Sequence, residues 1–191
     1  VSVKLGYKKA LCVVDMNYKI KKNKKEEKKN AKMIIKKTKC DAVKIESNGK
    51  NFNIIKHLVK SGISVMGHIG FTPQYKNKFR PQGAGKNEEL KLIKDALDIE
   101  KSGAFAVVLE CVTSSIAKKI SLKLKIPTIG IGSSNFCDGQ ILVTDDILGL
   151  SGFYPKFVKK YEKLDKIIEN SVQKYRNEVI KKIFPKNKNS Y

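Results

Sequence analysis

Four short apolar runs in this 191-residue chain each stop on an ionisable or metal-capable side chain: ALCVVD at Asp15, AVKIE at Glu46, ISVMGH at His68 and FAVVLE at Glu110. In a parallel α/β protein the carboxyl ends of neighbouring strands open onto one face, so the four residues are expected to converge on one substrate. Asp15 and Glu46 could share a hard cation through oxygen ligands, because Mg²⁺ takes one or two carboxylates and fills its other positions with water and substrate oxygens. Taken one at a time, each carboxylate is equally well read as a helix cap or a loop salt bridge. Lys44 alternates with Glu46, which puts both on one side of the strand, where a lysine calls for an anion such as a substrate carboxylate or a partner glutamate. His68 could donate to a substrate oxygen or sit as a satisfied core histidine, whereas His57 falls on a helical surface. Glu110 closes a fully apolar run and is the candidate base, since burial raises a carboxyl group toward the working range.

These residues need strands and crossovers to place them. After a first strand near residues 10–15, a lysine-rich helical pattern covers 24–38, CDAVKIE supplies a second strand, and apolar residues at helical spacing run through 51–62 to Gly62. A third strand closes at His68. A Gly-, Pro- and Asn-rich loop over 70–87 leads to an amphipathic helix at 88–103, with acidic residues in its first turn and Gly103 as its stop. FAVVLE, a helix over 114–125, strands over 126–132 and 139–145, and basic helices over 156–183 complete the order. The opening VSVKLGY reads as the tail of a helix stopped at Gly6, so the chain is expected to begin inside an element.

Six strands that are apolar on both faces, with helices between most of them, mean a parallel α/β fold. Six βα units of about thirty residues fall two short of the roughly 250 residues of an eight-stranded barrel. An open doubly wound sheet would need no further part, and the pattern alone does not separate the two. IGIGSSNFCDGQ lacks the GxGxxG order and a following helix, so Gly130, Gly132 and Gly139 read as tight turns rather than a phosphate cradle.

The net charge of +22 raises nucleic acid or an anionic membrane as partners, but Arg80 and Arg176 are the only arginines. Lysine lacks the planar fork of arginine, and the dense run over 19–37 has no interleaved aromatics to stack bases, so a solvated face is preferred. A non-catalytic basic module remains the rival from another class. Cys12, Cys40, Cys111 and Cys137 show neither CxxC spacing nor scaffold density, which predicts reduced structural thiols. No apolar stretch approaches the length of a membrane span, and a cytoplasmic protein is expected, with organellar import left open.

With these residues in view, the chain resembles the ketopantoate hydroxymethyltransferase family. VMGHIGFTPQ at 65–74 is similar to the family's G-H-x-G-x-T-P-Q segment, and DALDIEKSGAFAVVLECV at 95–112 to its D-A-x-x-x-E-x-A-G-A-F-x-x-V-L-E-C-V run. IPTIGIGSSNFCDGQILV at 126–143 and PKFVKKY at 155–161 match later blocks. The resemblance implies a (β/α)8 TIM barrel lacking its first two βα units, with residues 1–183 as one partial catalytic domain and 184–191 as a basic tail. It implies transfer of a hydroxymethyl group from methylenetetrahydrofolate to 3-methyl-2-oxobutanoate with Mg²⁺, through an enolate, in a homo-oligomer that contacts neither nucleic acid nor membrane. By resemblance Asp15 is a metal ligand that also lies against the substrate, Glu46 an outer-sphere metal ligand, Lys44 the carboxylate contact, Glu110 the proton acceptor and His68 a substrate contact.

The family's upstream Asp-Ser pair would fall before residue 1, so this segment is expected to bind Mg²⁺ weakly. Gln82-Gly83-Ala84 stands where the family has Gln-Gly-Arg or Lys, and Ser133-Ser134 where Ala-Gly is common. A lyase of the phosphoenolpyruvate mutase type, another Mg²⁺-dependent barrel acting on 2-oxo acids, shares the strand-end logic but not this motif set.

Overall fold

The computed structural model describes residues 9–16, 23–76 and 79–191. Residues 1–141 form one compact unit and 142–191 a second. The helix tail read at residues 1–6 lies outside the described residues, as does the start of the lysine run at 19–22.

The first unit holds one sheet. Its strands are β1 (Val13–Asp15), β2 (Ala42–Glu46), β3 (Val65–Gly70), β4 (Ala106–Glu110), β5 (Thr128–Ile131) and β6 (Gly139–Gln140). All pair in parallel, and their order in the sheet is their order in the chain. Helices α1 (Lys24–Thr38), α2 (Phe52–Lys60), α3 (Lys86–Lys101) and α4 (Ser114–Lys123) join the first five strands. Successive right-handed crossovers that always step the same way put every helix on the same face, and the helices accordingly pack side by side in sequence order. A doubly wound sheet would reverse its order once. This one does not, and the fold is an incomplete (β/α) barrel.

Alternation along the strands divides the two faces. Val43, Ile45, Val65, Ile69, Val107 and Leu109 join Ile55, Leu58, Leu92, Ile99, Ile116 and Ile120 in one buried core. Gly67 belongs to this helix-facing set, since a Cβ there would sit 2.5 Å from the Ile99 side chain. The intervening residues, Lys44, Glu46, Met66, His68, Gly70, Val108 and Glu110, therefore line the opposite face.

The lysine-rich helix forms as its sequence requires. Asn23 caps it by accepting from the Lys25 and Glu26 amides at 3.1 and 3.3 Å. Ala31 faces the core, while Lys24, Lys25, Lys29, Lys32, Lys36 and Lys37 are exposed. These lysines of the run thus lie on an exposed face.

Several boundaries differ from the sequence reading. β3 runs on to Gly70, and β6 is two residues long because Ile141 and Val143 turn outward and 144–148 coil into a short helix, α5 (Thr144–Leu148). Gly130 and Gly139 lie within strands, so of the three glycines read as turns only Gly132 has the positive φ of one. In the second unit the basic helix expected from 156 begins at Leu164, giving α6 (Leu164–Ile180), which buries none of its residues.

Candidate active site

The parallel register assembles the strand ends. Asp15 aligns with Lys44, Glu46 with His68, and Gly70 with Glu110. Residues aligned in this way point to the same side. The five candidates therefore form a continuous row across β1 to β4 on the face away from the helices.

At the β1 end, Lys44 Nζ lies 3.1 Å from Asp15 Oδ1. Asp15 is the most open of the set, at 57% side-chain exposure, against 7% for Glu46 and 1% for His68. His68 stands between two carboxylates. Its Nε2 is 3.1 Å from Glu110 Oε2, and its Nδ1 is 4.0 Å from Glu46 Oε1. The second distance is too long for a hydrogen bond, and the first is poorly aligned for one, so both ring nitrogens remain without a hydrogen-bond partner. The sequence reading gave His68 a substrate contact; the geometry adds that it separates the candidate base from the candidate metal ligand.

Burial pushes the Glu46 carboxyl up, opposed by the Gln74 amide, His68 and Lys44 and reinforced slightly by Asp15. A buried carboxylate under that pressure gains most from a cation. Asp15 and Glu46 supply two oxygen-donor groups on neighbouring strand ends, which matches in kind what Mg²⁺ asks of a protein. No group of three or more His, Cys, Asp or Glu among the described residues is arranged to hold a metal.

The β3–α3 loop carries polar groups that sequence reasoning passed over. The Gln74 amide donates to Glu46 Oε2 at 2.9 Å, and Gln74 Nε2 donates to the Met16 carbonyl at 3.2 Å. Asn51 Nδ2 donates to the Glu46 carbonyl and the Tyr75 hydroxyl, both at 3.1 Å. Lys76 Nζ donates to the Gly70 carbonyl at 2.7 Å and also to Gln82 Oε1, and burial pulls its ammonium below the usual lysine range. Gln82, itself 1% exposed, accepts at its backbone carbonyl from the Thr113 amide and donates its backbone N–H to the Cys111 carbonyl. The signal for Gln74 was present in the motif segment ending T-P-Q, but nothing in the residue pattern said what it would touch.

The glycine-bearing loop after β5 is occupied by its own bonds. Ser133 Oγ donates to the Leu109 carbonyl at 2.7 Å and accepts from Val112 N. Hydrogen bonds from the Thr128 amide and hydroxyl hold Asp138 below the usual carboxylate range. All four cysteines are free, and Cys111, next to Glu110, has its thiol pushed up to about 12, first by burial and then by that carboxylate.

A family model described as ketopantoate hydroxymethyltransferase matches residues 1–187. The 3-methyl-2-oxobutanoate hydroxymethyltransferase of Pelagibacter ubique is 47% identical over 190 residues, covering 100% of this chain and 74% of that protein. The enzyme of the same name from Bartonella tribocorum is 43% identical over 190 residues, with 97% and 70% covered. That of Thermosipho africanus is 48% identical over 167 residues, with 85% and 63% covered. A match along nearly the whole chain, relatives at this level of identity and a row of strand-end acids around one histidine lead to one conclusion: the chain belongs to the ketopantoate hydroxymethyltransferase family, a family of transferases.

Proposed function

We propose that this chain transfers a hydroxymethyl group to 3-methyl-2-oxobutanoate, giving ketopantoate in pantothenate synthesis, with methylenetetrahydrofolate as donor and Mg²⁺ at Asp15 and Glu46. The observation that carries the reading is the continuous row Asp15–Lys44, Glu46–His68–Glu110 on one face of a barrel-type sheet. It combines, within four strand ends, an anion contact, two oxygen ligands and a proton acceptor.

Glu110 takes the proton from C3 of the substrate. At 16% exposure it is open enough to meet substrate, and the buried His68 ring lies 3.1 Å from its Oε2. Lys44 receives the substrate carboxylate; its ammonium, 3.1 Å from Asp15 Oδ1, is partly exposed on the same face. Mg²⁺, when bound, supplies Lewis acidity at the 2-oxo group and so lowers the cost of forming the enolate. Water hydrolyses the two C–N bonds of the folate's methylene bridge, freeing tetrahydrofolate and a formaldehyde-level carbonyl; the electron pair left at C3 adds to that carbonyl carbon, and its oxygen takes a proton to become the hydroxyl of the product.

An apolar row on α6, Ile167, Ile168, Val172, Tyr175 and Val179, is exposed in this single chain, which supports association into a homo-oligomer. No helix among the described residues is long and apolar enough to cross a membrane.

The test is Glu110→Gln. The variant should retain 3-methyl-2-oxobutanoate binding, followed by calorimetry, and lose solvent exchange of the C3 proton, followed by NMR in D₂O. Exchange at the wild-type rate would sink the base assignment.

A further inference from the structure

We infer that Gln74 is a positioning residue that ties the carboxyl ends of β1 and β2 together and so sets the placement of Asp15 against Glu46. The inference rests on reading those two carboxylates as the cation pair.

The loop that carries Gln74 touches all four strand ends of the site. Phe71 N donates to the Glu110 carbonyl at 2.8 Å at the end of β4, and Lys76 Nζ donates to the Gly70 carbonyl at the end of β3. Between these anchors, a turn closed by the Tyr75 and Lys76 amides on the Thr72 carbonyl, both at 2.9 Å, pushes Gln74 toward β2 and β1. There its backbone binds the Glu46 side chain, and its side chain binds the backbone of Met16, the residue after Asp15. One residue thereby holds a carboxylate on one strand and the main chain beside a carboxylate on the next.

The amide's orientation is fixed by chemistry. A carbonyl can only accept, so the nitrogen must face Met16 and the oxygen must face away. That oxygen, Gln74 Oε1, is buried and has no hydrogen-bond partner. An unpartnered buried acceptor is unfavourable, which argues that a donor other than the protein meets it in the working state. Waters held by a divalent cation act only as donors, so a free amide oxygen beside two carboxylate strand ends suits them. Outer-shell groups that orient metal ligands in this way typically change metal affinity by roughly ten- to a hundredfold when removed.

The experiment compares the wild-type chain with Gln74→Met, which keeps length and bulk but loses both polar atoms, and with Tyr75→Phe, which removes a neighbouring loop hydroxyl and leaves the tie intact. Mn²⁺ affinity is measured by electron paramagnetic resonance, and amide exchange of residues 13–16 by mass spectrometry without metal. Gln74→Met should weaken Mn²⁺ binding at least roughly tenfold and speed exchange at Met16, whose amide donates to the Lys44 carbonyl. Tyr75→Phe should do neither. Wild-type exchange and Mn²⁺ affinity in Gln74→Met would overturn the inference, as would an equal loss in Tyr75→Phe, which would mean that general loop integrity is at work. Asp15→Asn separates the two levels: if it binds Mn²⁺ like the wild type, the cation pair itself is wrong; if it loses Mn²⁺ while Gln74→Met does not, only the Gln74 role fails.

Discussion

Replacing Gly70 by alanine should slow the chemistry while leaving every titratable group in place. Gly70 has φ +99°, and a Cβ built there would lie 2.1 Å from the carbonyl oxygen of Glu110 and 2.8 Å from Val112 Cγ2. Real Cβ contacts essentially never fall below 3.0 Å, so the two backbones must part by about 1 Å. The obstructing atom is main chain and cannot rotate away. It is also the acceptor for Phe71 N at 2.8 Å, so the displacement reaches either the proposed base or the loop that holds Glu46. A misplacement of about 1 Å at a reacting group costs on the order of a hundredfold in rate. The positive φ adds strain of about 1–3 kcal/mol. Gly62→Ala is the control, since Gly62 has φ +76° and nothing within 4 Å of a Cβ. It should lose comparable stability from backbone strain and no rate. The assay is C3 proton exchange by NMR, paired with thermal melts by circular dichroism. Expected are roughly hundredfold slower exchange in Gly70→Ala and wild-type exchange in Gly62→Ala. Wild-type exchange in a folded Gly70→Ala protein, or equal losses in both, would refute the argument that backbone contact at Gly70 fixes Glu110.

Glu88 is held down to about 2 by the Arg80 guanidinium and by the Gly83 and Ala84 amides, against an ordinary 4.5. Because its folded value is depressed, its contribution is complete above pH 4.5 and disappears as the pH falls toward 2; for so exposed a pair it amounts to about 1 kcal/mol. Melts of Glu88→Gln should therefore lie below the wild type at pH 7 and meet it near pH 2, and a gap independent of pH would contradict the assignment. His68→Ala would leave Glu46 and Glu110 without the ring between them and open a cavity, for a loss of about 2–4 kcal/mol in urea unfolding. Adding Glu46→Gln to that variant should recover part of it by removing one charge; no recovery would show that the loss is packing alone. Cys111, with its thiol at about 12, should resist a maleimide at pH 8 in the native protein while the less buried Cys12 reacts, as peptide mapping would show.

The strand ends were legible because a strand writes its geometry into the chain with a period of two. Lys44 and Glu46 could be placed on one face without coordinates, and His68 and Glu110 lie on apolar runs whose far side packs on helices. Where that signal is faint the reading slips. ILVTD after Gly139 looks like a strand continuing, yet Ile141 and Val143 are 44% and 53% exposed, since apolar type alone does not say that a neighbour is there to cover it.

Register and loop paths are a different kind of information, because they depend on what each strand meets rather than on the strand itself. That His68 falls opposite Glu46 follows from β2 pairing with β3 at Val43↔Val65, and its reach to Glu110 from β3 pairing with β4 at Gly70↔Glu110; a slip of one residue in either pairing would turn the imidazole away from the carboxylate on that neighbour. Gln74 is the sharper case. Its loop has no period to read, and its two bonds reach residues 28 and 58 positions away in the chain. Such contacts exist only once four strand ends have been brought together. The parts of the site that do chemistry could therefore be named from side-chain type and strand position, while the parts that hold them still are products of the assembled fold. By the same logic, variants at Gly70 and Gln74, which add or remove no charge, are the ones that test the assembly rather than the inventory.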